Sequence, residues 1–94
     1  MSAGGPASSP GTGAGTVTVR FWAAARAAAG VAEQHVAPGD LSGIVAALGA
    51  QHGERLTRVL GYCSFLLDGR SVRDATTEVP AGSELEVLPP FAGG

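Results

Sequence analysis

The chain has 94 residues, a net charge of -2 and an apolar fraction of 45%. That length suffices for one domain with a core but leaves little volume for a deep substrate pocket, and such apolar content excludes full disorder. The acidic balance excludes the basic footprint of a nucleic-acid binder, and the longest apolar runs are too short to cross a bilayer, so neither nucleic acid nor membrane is expected as a partner.

Residues 1–15 contain only Gly, Ala, Ser, Pro and Thr after Met1. Nothing there offsets the entropy of ordering, which predicts a flexible leader. Its glycines are not a phosphate loop, because no Gly-Lys-Ser/Thr ending follows them. No basic segment with an apolar run follows Met1, so no secretory signal is read and the expected compartment is the cytoplasm. A folded domain is expected over residues 16–90. Thr16 to Phe21 alternates with period two and predicts a strand with Val17, Val19 and Phe21 inward. Trp22 to Ala29 is alanine-rich and predicts a short helix stopped by Gly30. Ala32 to Val36 predicts a second strand, and Pro38-Gly39 a turn.

Asp40 is a good N-cap for a main helix whose inward face is Leu41, Ile44, Val45 and Leu48. Gly43 and Gly49 weaken that helix by about 1 kcal/mol each relative to Ala. Gly53 is a natural stop, and Glu54 to Leu60 adds another turn or two with Leu56, Val59 and Leu60 inward. Tyr62 to Leu67 reads as a largely buried strand. Asp68-Gly69 is a hairpin signal leading into a short return strand from Arg70. After a turn at Pro80 to Ser83, Glu84 to Leu88 alternates as the clearest strand, with Leu85 and Val87 inward. Pro89-Pro90 ends it. Strands outnumber helices and one main helix must cover the sheet, which makes the fold class α+β, a roll.

The six basic residues are all Arg, so no side-chain amine is present to be acylated. The single cysteine, Cys63, excludes an internal disulfide. His35 and His52 are not at ligand spacing from it, and no metal site is expected. Cys63, Phe21 and Trp22 read as core residues and His35 as a strand-surface residue. His52 sits where it favours the main helix dipole. Arg26 can cap its helix, form a local ion pair or meet an acidic partner. Glu84 and Glu86 read as a solvated face or one read by a basic groove.

The chemical group is at the end. Pro89 and Pro90 hold the exit from the sheet extended. Phe91 offers one apolar anchor, and Ala92, Gly93 and Gly94 have almost no side-chain volume, so they can thread a narrow channel. The Gly94 carboxylate is a poor electrophile until adenylation supplies a leaving group. A persulfide sulfur can then displace the nucleotide and leave a thiocarboxylate.

Three segments resemble the MoaD/ThiS sulfur-carrier family. Val19 to Arg26 with Gly30 is similar to its first strand and aromatic-Ala-x-x-Arg helix, although Ala27 stands where many relatives have an acid. Phe65-Leu66-Leu67-Asp68-Gly69 is similar to its central hairpin. Gly82-Ser83-Glu84 through Pro89-Pro90-Phe91-Ala92-Gly93-Gly94 resembles its ending and is the specific segment. The resemblance implies a ubiquitin-like β-grasp roll, with a mixed sheet of four to five strands under one main helix. It implies a non-catalytic small subunit like that of molybdopterin synthase, which serves molybdenum cofactor synthesis. An E1-like enzyme of the MoeB type would adenylate Gly94 with ATP, and a sulfurtransferase would donate sulfur. A MoaE-type large subunit would receive the tail; the chain itself would bind no cofactor. A carrier for thiamin, cysteine or secondary-metabolite synthesis, a ubiquitin-like modifier, and a plain interaction module with an incidental tail are the alternatives.

Overall fold

The computed structural model describes residues 15–90. The expected leader, apart from Gly15, and the tail residues Phe91, Ala92, Gly93 and Gly94 lie outside the described residues.

The elements follow the alternation of the sequence. Strand β1 (Val17–Phe21) leads into α1 (Ala23–Ala29) and then β2 (Glu33–Val36). A two-residue strand, β3 (Gly39–Asp40), precedes α2 (Leu41–His52) and α3 (Glu54–Leu60). Strands β4 (Ser64–Leu67), β5 (Arg70–Val72), β6 (Glu78–Val79) and β7 (Glu84–Leu88) complete the chain. The main sheet has the order β2-β1-β7-β4-β5. Strands β1 and β7 are parallel, and β1–β2, β4–β7 and β4–β5 are antiparallel. This mixed sheet with helices on one face is the expected α+β, β-grasp roll.

Period-two alternation decides which face of β1 and β7 meets the core. Val17, Val19, Phe21, Leu85 and Val87 are buried, while Arg20 is exposed and Glu84 and Glu86 are half-exposed. Opposite them stand Leu41, Ile44 and Leu48 of α2, Leu56, Val59 and Leu60 of α3, and Ala25 of α1. Burying side chains of this size contributes roughly 1.5–3 kcal/mol each. The expected main helix therefore shares the cover with two shorter ones.

Caps fix the ends of α2. The Asp40 side chain accepts a hydrogen bond from the Gly43 backbone N–H at 2.8 Å. The Leu41 and Ser42 N–H groups donate to the carbonyls of Thr77 and Ala75, each at 2.9 Å. Three of the four donors that a helix start leaves orphaned are thus satisfied. The 75–77 segment is held there by the β3–β6 ladder, with Gly39 opposite Val79 and Asp40 opposite Glu78. Two residues per strand are too few to show a period, so neither strand is expected from the sequence.

Two expectations need correction. Tyr62 to Leu67 is not one largely buried strand. The N–H groups of Tyr62 and Cys63 donate back to Val59 and Leu60, which closes α3 in a turn, and β4 begins only at Ser64. Tyr62 is left 55% exposed. Trp22 is not core either. It follows Thr18 and Arg20 on the outward parity of β1, becomes the N-cap of α1, and is 43% exposed.

Candidate functional site

The site is the place where β7 leaves the sheet. Strand β7 lies in the middle, paired with β1 on one side and β4 on the other. Phe21 is in register with Val87, and the Trp22 N–H donates to the Val87 carbonyl at 3.2 Å. Across the other edge, Ser64 is in register with Leu88. Trp22 therefore stands beside the strand exit on one flank, and Tyr62, just ahead of β4, stands on the other. Pro89 is buried and Pro90 exposed. Of the expected site residues, then, Pro89 and Pro90 are placed at the root, and Phe91, Ala92, Gly93 and Gly94 fall outside the described residues.

The sheet's outer face beside the root carries mixed charge. Arg20 pairs with Glu84 and lies 3.8 Å from Glu33. Glu86, one pair nearer the exit, has no ion-pair partner among the described residues. Arg26 lies one helical turn beyond Trp22, exposed and likewise unpaired among them. Its local ion-pair role is not seen.

Among the described residues, no side-chain hydrogen bond joins a nucleophile to a base at this exit. Cys63 is half-buried rather than a full core residue, and its thiol donates to the Val59 carbonyl at 3.2 Å. Burial pushes that thiol up to about 11, so it stays protonated at neutral pH. A groove of about 600 Å³ opens between α2 and the β4–β5 hairpin, floored by Leu41, Val45, Phe65 and Val72. Its polar residues, Ser42, Ser64, Ser71 and Arg73, include no base. His52 is held elsewhere: Nε2 meets the Gln34 side-chain oxygen, and the ring stands edge-on to Phe21 with centroids 5.9 Å apart. Among the described residues no three metal-ligating side chains cluster, and no helix is long and apolar enough to cross a membrane.

The model of the ThiS family matches residues 19–94, from within β1 to the last glycine. The chain belongs to the ThiS family. Solved structures agree with the fold. A molybdopterin converting factor subunit 1 of Pyrococcus furiosus is 23% identical, with a TM-score of 0.70, covering 81% of this chain and 98% of that one. The SAMP1 crystal structure from Haloferax volcanii is 24% identical, with a TM-score of 0.71, covering 85% and 100%. Subunit 1 in the complex of subunits 1 and 2 of the Helicobacter pylori molybdopterin-converting factor is similar at 28% identity and a TM-score of 0.64, covering 84% and 99%. No curated protein matches. In this ThiS-family member, sequence reasoning missed Trp22 and Tyr62 as exposed flanks of the root. For Trp22 the signal was present in the outward parity it shares with Arg20.

Proposed function

We propose that this ThiS-family chain is a sulfur carrier acting through the Gly94 carboxylate, with molybdopterin synthesis as its pathway. One observation carries the reading: the family match spans residues 19–94, from within β1 through the central strand β7 to Gly93-Gly94.

In the proposed sequence, the Gly94 carboxylate attacks the α-phosphate of ATP on an E1-like enzyme of the MoeB type, and pyrophosphate leaves. A persulfide delivered by a sulfurtransferase then attacks the acyl carbon. The acyl–O bond breaks, AMP leaves, and an acyl disulfide forms. A second thiol cleaves its S–S bond and releases the thiocarboxylate. The narrow Ala92-Gly93-Gly94 segment would enter a MoaE-type large subunit, with Trp22, Tyr62 and Leu88 meeting that subunit around the root. The Helicobacter pylori complex of the two subunits supports a partner of this kind.

Intact-mass spectrometry after incubation with ATP, an E1-like enzyme and a sulfur donor tests the chemistry. The expected product has one oxygen replaced by sulfur, and a chain lacking Gly94 does not form it. No such product with several E1-like partners would end the reading. Reconstitution with a MoaE-type subunit tests the pathway. Failure to form a complex would move the carrier to thiamin, cysteine or secondary-metabolite synthesis. The modifier reading shares the adenylation step and differs in the acceptor; isopeptide bonds from Gly94 to lysines of cellular proteins would establish it.

A further inference from the structure

We propose that the folded body of this protein is closed to its own activated carboxylate, so that no side chain of residues 15–90 accepts the acyl group from Gly94. Copies of the chain are then not joined through the side chains of their folded bodies. The inference rests on the reading that Gly94 is activated, and it adds which acceptors are forbidden.

Among the described residues, the amine, thiol and base-activated hydroxyl routes are each shut. The six basic residues are Arg20, Arg26, Arg55, Arg58, Arg70 and Arg73. A guanidinium stays protonated throughout the working pH range and does not attack an acyl carbon. The one thiol, Cys63, is half-buried and donates to the Val59 carbonyl at 3.2 Å, and burial favours its neutral form. A hydroxyl needs a base to become a nucleophile. Neither histidine is hydrogen-bonded to a hydroxyl among the described residues, and the Nε2 of His52 is taken by Gln34. The carboxylates that meet hydroxyls are occupied: Asp40 caps α2, and Asp74 holds the backbone N–H of Thr76 at 2.9 Å. Asp74 is also held below the usual carboxylate range by the Thr76 hydrogen bonds, which makes it a weaker base.

The geometry shows what this arrangement prevents. Leu88 is in register with Ser64, and Val72 with Phe65. Arg73 therefore sits level with Ser64 and Leu88, two strands from the tail root. That is about 10 Å from Leu88 at the usual strand spacing, and about 12 Å from Pro90, two residues further along the strand direction. Four residues beyond Pro90 span up to about 14 Å. An amine at position 73 falls within reach of the activated end; the exposed guanidinium there is inert. In such an attack the amine nitrogen forms a bond to the acyl carbon, the leaving group departs with its electron pair, and the amine loses a proton.

The test loads Gly94 chemically, as a thioester of a small thiol, on an N-acetylated chain, so it holds whether or not any enzyme activates Gly94. At mildly alkaline pH the wild-type chain is expected to yield only the hydrolysed acid, while added hydroxylamine consumes the thioester fully. Arg73→Lys is expected to give a species one water lighter than the acid, with the new bond mapping to residue 73. Covalent dimers or a water-loss species from the wild-type chain would overturn the proposal. An Arg73→Lys chain as inert as wild type would overturn it too, because the missing amine would then not be what protects.

Discussion

Gly49→Ala is the sharpest test of how the helices are packed. On propensity alone the change should stabilise α2 by about 1 kcal/mol. In the structure Gly49 is buried, and a Cβ built there falls 2.5 Å from the Thr57 hydroxyl oxygen and 3.4 Å from its Cβ. That hydroxyl donates to the Gly53 carbonyl at 3.0 Å, at the junction of α2 and α3. The new methyl must displace it, losing a hydrogen bond worth about 0.5–1.5 kcal/mol. Pushing the helices apart costs about 1–3 kcal/mol more. The net expectation is a loss of about 2 kcal/mol, read as a lower urea midpoint and a Tm lower by roughly 10 °C. In a Thr57→Ala background the same change should be neutral or stabilising. A stabilised Gly49→Ala chain, or an unchanged penalty without the Thr57 hydroxyl, would refute the packing argument.

Two further outcomes follow from single contacts. Asp68 takes positive φ in the hairpin, and its carboxylate accepts the Glu84 N–H at 2.9 Å. Asp68→Ala should therefore cost about 1–2 kcal/mol in urea unfolding, and an unchanged midpoint would mean the hairpin does not anchor β7. The raised Cys63 thiol predicts slow alkylation by iodoacetamide at pH 8, accelerating toward pH 11. Because the unfolded thiol ionises first, near 9.0, stability falls as pH climbs from there to about 11. Fast labelling at pH 8 would show the thiol is not buried as described.

Most of the architecture is legible because its signals are local. Alternation marks β1 and β7, Asp40 marks the start of α2, and Asp68-Gly69 shows the hairpin through two consecutive positive φ values. What fails to read is what depends on distant partners. Gly49 looks like a defect until Thr57 is seen against it. The β3–β6 ladder has two residues per strand, so only its contact with the start of α2 gives it meaning. Tyr62 looks buried because it adjoins an apolar run, yet the turn closing α3 turns it outward. The tail is a different case: Phe91 to Gly94 lie outside the described residues, and the chemistry proposed for them rests on the sequence and the family match alone.

Under the proposed carrier function, the position of β7 lets so small a body serve as a handle. A strand at a sheet edge peels away one ladder at a time. Strand β7 is held by ladders on both sides, and its inward residues Leu85 and Val87 are fully buried. A partner that gripped the residues after Pro90 would therefore pull on the best-anchored element of the fold. Local opening of this strand requires breaking both ladders and the core together, so its opening free energy approaches that of global unfolding. Hydrogen exchange at Leu85 and Val87 should accordingly be the slowest in the chain. Exchange there faster than at the edge strands β2 and β5 would mean the tail hangs from a weak strand, and the handle argument would fail.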